Sequence, residues 1–325
     1  MRLIHHPVLC NYYVTYRCNA SCNFCDIWEK PSPYVTIETV TQNLNDLKKL
    51  GVKVIDFTGG EPLLHRQIDQ LLALAKERKF ITTLTTNGLL YPKYAQRLKG
   101  KVDMLHFSLD SPEKEEHDSG RGVACFDQVM ESIQIARSLG ERPDILFTVF
   151  EHNVHQIEKV WGNICLPNGL VLILNPVFEY KGVETGKSLS AQTLETLLYW
   201  SKQKQVYLNE AFISLRQDGG NHIANPVCKA ASSTIVISPE NKLLLPCYHL
   251  GIDQIAIDGN LFDLYHSESV QKLIALEGRL PACEGCVINC YMQPSFAVEM
   301  NKYFWKALPS TLKYNYLKGT WKQLF

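Results

Sequence analysis

The sequence predicts an α/β fold, a partial (β/α)6 TIM-like barrel followed by a small C-terminal α+β domain. Three observations lead there. Strand-like and helical segments alternate in six β-then-α units up to about Tyr180; the alternation then stops; and eight of the eleven cysteines fall into two clusters, one in each part. Parallel strands need crossover connections, and right-handed crossovers curl the sheet one way, so the first part reads as an open or partial barrel. At 325 residues the chain can hold one large domain or two. A boundary near 205 divides it into 1–205, the barrel, and 206–325, the smaller unit.

Segments rich in β-branched and aromatic residues predict strands over 11–16, 52–58, 80–86, 102–109, 145–150 and 171–174. The intervening helices follow from apolar spacing. Over 36–50, Val40, Leu44, Leu47 and Leu50 share a face, with Thr36 at the start and Gly51 at the end. Similar patterns cover 68–79, 92–98, 126–139 and 154–164, and one more amphipathic helix is expected over 190–204. Beyond residue 207 the chain is rich in loops, with a hairpin pattern at 234–238 and 243–247 and a short helix near 267–277.

Composition excludes several classes. Hydrophobic residues at 46% and charged residues at 20% suit a soluble globular protein. Thirty-three basic side chains balance thirty-three acidic ones, so no net field attracts polyanions, and nucleic acid is not an expected partner. Apolar runs such as 71–75 and 170–174 fall short of the roughly 18 residues that cross a bilayer. His5, His6 and Pro7 interrupt any signal-like stretch, which leads to the expectation of a cytoplasmic protein.

In a reducing compartment, clustered cysteines read as metal ligands or catalytic groups. Cys18, Cys22 and Cys25 form a CxxxCxxC cluster directly after the first strand, at the rim where barrel active sites are built. Three thiolates do not complete a four-ligand site. Zinc would need a fourth ligand, and His5 and His6 precede the strand; a cubane on three cysteines would leave one iron open. Cys228, Cys247, Cys283, Cys286 and Cys290 form the second cluster. They could staple a unit with few core residues, as structural metals do. Cys10, Cys125 and Cys165 are isolated and read as small buried hydrophobes, and Trp28, Trp161 and Trp200 as packing.

The run Tyr16-Arg17-Cys18-Asn19-Ala20-Ser21-Cys22-Asn23-Phe24-Cys25-Asp26 resembles the signature of radical S-adenosylmethionine (radical SAM) enzymes. Thr58-Gly59-Gly60-Glu61-Pro62 ends the second strand as the family's GGEP motif does. The resemblance implies that the Gly59-Gly60 backbone approaches the methionyl moiety and that Glu61 accepts from its ammonium. It implies further contacts to S-adenosylmethionine from Asn87 after the third strand, from Ser108 and Asp110 after the fourth, and from Arg121 toward the carboxylate. Asn153 and Leu174, after strands five and six, correspond to ribose and adenine contacts, and Phe24 to an aromatic against adenine or in plain packing. The implied cofactors are a [4Fe-4S] cluster on Cys18, Cys22 and Cys25 and S-adenosylmethionine itself, with flavodoxin or ferredoxin as the electron donor. No catalytic residue beyond these is readable.

Cys228, an 18-residue gap, Cys247, a long gap, Cys283-x-x-Cys286 and Cys290 resemble the twitch form of the SPASM extension. This implies one auxiliary [4Fe-4S] cluster, preferentially on Cys228, Cys247, Cys283 and Cys286, with Cys290 substituting or free. A zinc ribbon is the alternative. The implied activity is hydrogen abstraction from an unactivated C–H bond of a small-molecule or lipid substrate. Only 17 residues precede Cys18, which favours this over a peptide-modifying SPASM maturase. A non-catalytic iron–sulfur redox sensor, or a zinc protein, is the contrasting class. Residues 301–325 hold five lysines, seven aromatics and no acid, a pattern suited to peripheral contact with an anionic membrane or to a terminal helix packed on the barrel.

Overall fold

The computed structural model describes residues 1–179 and 189–320. Seven strands run parallel in chain order: β1 (Leu9–Thr15), β2 (Val54–Gly59), β3 (Ile81–Thr86), β4 (Met104–Ser108), β5 (Asp144–Val149), β6 (Val171–Pro176) and β7 (Val206–Tyr207). The helices among them are α1 (Ile37–Lys49), α2 (Ile68–Glu77), α3 (Tyr91–Leu98), α4 (Lys114–Arg121), α5 (Phe126–Ser138) and α6 (Ala191–Ser201). Thr36 caps α1 by accepting from the Thr39 N–H at 3.2 Å, an arrangement worth about 1 kcal/mol.

All six expected strands are present, their ends displaced by at most two residues. β7 has two residues, too few for any period to register, and the sequence of α4, Lys-Glu-Glu-His-Asp-Ser-Gly-Arg, has no apolar stripe to reveal it. The helix expected over 154–164 changes pitch along its length, widening to a π-helix at Val160–Cys165. Pro167 follows in the next turn without an N–H to close on residue 163.

The boundary expected near 205 does not interrupt the sheet. β8 (Thr234–Ile237) pairs in parallel with β1, Leu9 opposite Thr234, and β9 (Lys242–Leu245) and β10 (Asp253–Ala256) extend the same sheet antiparallel. The result is one ten-stranded sheet in the order β10-β9-β8-β1-β2-β3-β4-β5-β6-β7. Further helices, apart from single turns such as Ala230–Ser233, are α7 (Glu210–Gln217), α8 (Leu261–His266), α9 (Glu268–Ile274), α10 (Asn289–Val298) and α11 (Lys302–Lys318).

Alternation along the strands separates two faces. Cys10, Tyr12, Ile55, Phe57, Leu84, Phe107, Ile145, Phe147, Leu172 and Leu174 are buried between the sheet and its helices. The opposite face, lining the lumen, carries Asn11, Asp56, Thr83, Thr85 and His106 on β1–β4 and an apolar cluster of Met104, Leu146, Val171 and Ile173 against Tyr207 and Tyr314. The Thr83 hydroxyl donates to Asp56, and Thr85 Oγ1 lies 3.1 Å from His106 Nδ1. Cys10, Cys125 and Cys165 are buried, as expected for small hydrophobes, and Trp161 packs edge-on against Trp200. Trp28 differs from the packing expectation, since it is exposed.

The C-terminal helix closes the far end of the lumen. Tyr314 Oη donates to Asp144 Oδ2 at 2.6 Å, and Lys318 Nζ lies 3.0 Å from Asp144 Oδ1. Lys313 donates to the carbonyls of Ser201 and Gln203, and Lys302 pairs with Asp218 at 2.7 Å. Lys313 and Lys318 are thus held inward, while Lys302 stays 62% exposed beside Asp218. Trp305, Leu312 and Tyr316 are exposed on the other side. Trp321 and Lys322 lie outside the described residues. No helix among the described residues is long and apolar enough to cross a membrane.

Candidate functional site

The loop bearing Cys18, Cys22 and Cys25 leaves the end of β1 and is gripped from two sides. On one side the Gly60 N–H donates to Thr15 O and the Glu61 N–H to Arg17 O, both at 2.9 Å. The two glycines are required by this contact. A Cβ on Gly59, whose φ is +145°, would stand 2.0 Å from Thr15 O, and one on Gly60 would stand 2.3 Å from Arg17 O. Their close approach in this structure is to the strand that feeds the cysteine loop. On the other side Ser21 N–H donates to Arg121 O and Asn23 N–H to Gly120 O, at 3.1 and 3.2 Å. Gly122, at φ +65°, leaves no room for a Cβ beside Ser21.

Side chains at the strand ends complete this rim. Glu61 is 1% exposed; Oε1 accepts from the Leu63 N–H and the Thr86 hydroxyl, and Oε2 from the Asn87 N–H at 2.9 Å. Burial pushes its carboxyl up to about 7 against these three donors. Pro62 starts the short 3₁₀ turn that follows. Asn87 Nδ2 donates to Asn19 Oδ1 at 2.8 Å, tying the cysteine loop to β3. Burial pushes the Cys18 thiol up to about 12 and the Cys25 thiol upward, so a metal arriving here displaces protons.

Arg121 lies behind Cys22. Its Nη2 is 2.5 Å from Asp110 Oδ2, Nη1 is 3.9 Å from Cys22 Sγ, and the guanidinium sits over the Phe24 ring at 5.3 Å. Its Nε is buried without a partner among the described residues. Asp110 is committed twice, accepting also from the Thr148 N–H at 2.8 Å. Asn153 is saturated by the Phe150 N–H and the Asp110 and Thr148 carbonyls, so it shapes the loop after β5. Phe24 packs on Phe150 at 5.2 Å. Ser108 is buried at the end of β4. Leu174, near the end of β6, has its side chain in the core between sheet and helices, which leaves its backbone at the rim.

The second cysteine cluster also converges. Cys228, Cys247, Cys283 and Cys286 line one apolar pocket with Leu250, Ile288 and Tyr291; Cys290 is outside that lining and exposed. Asn221, which motif reading missed, organises the pocket. Fully buried, it donates from Nδ2 to Gly278 O and Cys283 O at 2.8 and 3.0 Å, and accepts through Oδ1 from the Val227 and Cys228 N–H groups, both at 3.0 Å. Its backbone N–H donates to Cys286 O. The preceding Gly219-Gly220 turn was the available signal. A Cβ on Gly220 would stand 2.2 Å from Gly285 O. Among the described residues no three His, Cys, Asp or Glu side chains are placed to hold a single metal ion.

Aromatic rings occupy the space between the clusters. Tyr248, next to Cys247, stacks on Tyr13 at 4.6 Å and lies 5.8 Å from Tyr16; its N–H donates to the Tyr291 hydroxyl at 2.9 Å, and Lys30 Nζ donates to its own hydroxyl at 2.8 Å.

Residues 12–160 match the family model described as Radical SAM superfamily. Among curated proteins, the chain is 29% identical over 197 residues to an AdoMet-dependent heme synthase of Nitratidesulfovibrio vulgaris, covering 58% of this chain and 53% of that one. It is 27% identical over 248 residues to a probable GTP 3′,8-cyclase of Sulfurisphaera tokodaii, covering 71% and 78%. The chain thus spans about half the length of the heme synthase and more of the cyclase. Among solved structures, Streptococcus suis SuiB bound to S-adenosylmethionine superposes with a TM-score of 0.68 at 18% identity, covering 92% of this chain and 77% of that one. Native anSMEcpe with bound AdoMet gives 0.65 at 17% identity, covering 98% and 100%. At these identities the two structures bear on the fold.

Proposed function

We propose that this chain, which belongs to the radical SAM superfamily through residues 12–160, abstracts a hydrogen atom from an unactivated C–H bond of a polar substrate held in the barrel lumen. The supporting observation is the clamped loop of Cys18, Cys22 and Cys25, with Arg121 Nε buried and unpartnered directly behind it. Three thiols fit a [4Fe-4S] cluster with an open iron, and four thiols on one apolar pocket fit a fully ligated auxiliary cluster. When bound, the reduced first cluster with S-adenosylmethionine supplies a 5′-deoxyadenosyl radical, the electron coming from a flavodoxin- or ferredoxin-like donor.

The chain's own residues bind, orient and exclude. Gly59, Gly60 and Gly122 hold the cysteine loop in register with the strand ends. Glu61, fixed by three donors, presents its remaining lone pairs toward an ammonium group. Arg121 offers Nε as a donor to a carboxylate, with Asp110 holding the guanidinium in place, and Phe24 and Phe150 give an apolar wall beside it. Asn153 keeps the loop after β5 in position.

The lumen favours one of the substrate classes. Asn11, Asp56, Thr83, Thr85 and His106 give it one polar wall, and Met104, Leu146, Val171 and Ile173 give it an apolar one, so a small molecule with both kinds of surface suits it. A peptide side chain is the second reading, supported by the similarity in fold to SuiB, which is also solved bound to precursor peptide SuiA. Anaerobic reconstitution with iron, sulfide, dithionite and S-adenosylmethionine tests the proposal: 5′-deoxyadenosine forms, and Cys18→Ala abolishes it. Absence of 5′-deoxyadenosine from the iron-loaded protein would overturn the reading.

A further inference from the structure

Strands β1–β6 carry two carboxylates, Asp56 and Asp144, and neither lysine nor arginine. Both face the lumen, and only one is neutralised. Asp144 is held by Lys318 at 3.0 Å and by the Tyr314 hydroxyl at 2.6 Å. Asp56 has no ion pair among the described residues; its Oδ1 accepts from the Thr83 hydroxyl, and its Oδ2 has no hydrogen-bond partner there. Parallel register sets Asn11 on one side of Asp56 and Thr83 on the other, so the three form a row across β1, β2 and β3. Asn11 is only 6% exposed, and its carboxamide likewise has no hydrogen-bond partner among the described residues. Neither the carboxamide nor Asp56 Oδ2 is among the sealed polar atoms of the interior, so both open onto the lumen. A recessed acceptor without a donor costs free energy that a fitting ligand recovers.

We propose that Asn11, Asp56 and Thr83 form a subsite for the ammonium group of a primary-amine substrate. This rests on the reading of the lumen as the place where a radical SAM substrate is held, and it names the class of that substrate. An ammonium carries three N–H donors and one positive charge. The row offers one negative charge and three acceptors: Asn11 Oδ1, Asp56 Oδ2 and the Thr83 hydroxyl oxygen, whose own hydrogen is committed to Asp56. A neutral alcohol would leave the charge of Asp56 unpaired. Thr83 is in register with Met104, so the row continues onto the apolar wall of Met104, Leu146, Val171 and Ile173, which suits the carbon chain of such an amine. Asp56 stands three residues before Gly59, about 10 Å of strand below the clamped cysteine loop. The nitrogen therefore enters first, and carbons farther along the chain are presented to the rim.

The probes are 6-aminohexan-1-ol and hexane-1,6-diol, which match in length and differ in a single amine. Binding of each to the full chain, reconstituted anaerobically with iron, sulfide and S-adenosylmethionine, is measured by ligand-observed NMR titration. The parent is expected to bind the amino alcohol about tenfold or more tightly than the diol, the scale of one charge-assisted hydrogen bond. Asp56→Asn keeps the shape and loses the charge, and is expected to weaken the amino alcohol by about the same factor while leaving the diol unchanged. Asn11→Leu, which removes one acceptor, weakens the amino alcohol as well. No preference in the parent, including no binding of either probe, overturns the proposal whether or not the variants fold. A preference that survives in Asp56→Asn overturns it too. Failure of the reconstituted parent to form 5′-deoxyadenosine with dithionite overturns the radical SAM reading instead, a result on which the titration does not depend.

Discussion

The Tyr314 hydroxyl donates to the Asp144 carboxylate at 2.6 Å, joining residues 170 positions apart across the closed end of the lumen. Lys318 takes the other oxygen at 3.0 Å, and the pair is almost fully buried, at 6% and 1% side-chain exposure. Lys318→Met is expected to leave Asp144 without its lysine counter-charge, keeping only the Tyr314 hydroxyl and His106 nearby, and to cost about 3 kcal/mol. Urea unfolding measures it; a loss under about 1 kcal/mol would show that α11 does not seal the lumen in this way.

Gly60 is expected to tolerate no side chain. Gly60→Ala drives a Cβ against Arg17 O, 2.3 Å away, and shifts the loop that carries Cys18. Displacement of a catalytic group by about 1 Å costs on the order of a hundredfold in rate. The expected readout is a loss of that order in 5′-deoxyadenosine formation, and an unaffected rate counts against the clamp.

Asn221→Ala removes both partners of the Cys228 and Cys283 loops at once. Several buried groups lose hydrogen bonds, at about 1–3 kcal/mol each. Iron content after reconstitution should fall by about half, one of two clusters, with a lowered melting temperature. Full iron content in this variant would remove Asn221 from the account.

Cys290 and Cys283 should behave oppositely. Cys290 lies outside the pocket that Cys283 lines, so Cys290→Ala keeps its iron while Cys283→Ala loses about half. Equal loss from both would mean that Cys290 is a ligand.

His117 predicts a pH dependence. It is 1% exposed, its Nδ1 accepts from the Asp110 N–H at 3.2 Å, and burial, reinforced by Arg121, lowers its pKa to about 4. The neutral ring is favoured in the fold. Its contribution is therefore present above the unfolded value near 6.5 and is lost as pH falls toward 4, roughly 3 kcal/mol in all. His117→Gln should flatten the stability curve between pH 6.5 and 4 relative to the parent; parallel curves would exclude the linkage.

Much of the barrel was legible because its information is local. Strand composition, helix spacing and the turn after each strand lie within short windows, and the cysteine and Gly59-Gly60-Glu61 motifs each compress their chemistry into a few neighbours. Asp110 and Asn153 were legible as rim residues but not in their partners, which the fold supplies from 38 and 43 positions away. Arg216 and Asn289 have no motif at all. They meet 73 positions apart, and only their shared contact with β6 gives them a role.

The sequence by itself determined the parallel α/β barrel and the two cysteine sets, because periodicity and spacing along the chain are sufficient for each, and its residues 12–160 match the radical SAM superfamily model. Tertiary structure decided which four of the five C-terminal cysteines share a pocket, that the sheet runs on through β8, and that the basic tail turns lysines inward. These depend on which surfaces meet once the sheet curls. Burial then sets which charges must be paired, and no window of sequence contains both members of pairs such as Tyr314 and Asp144.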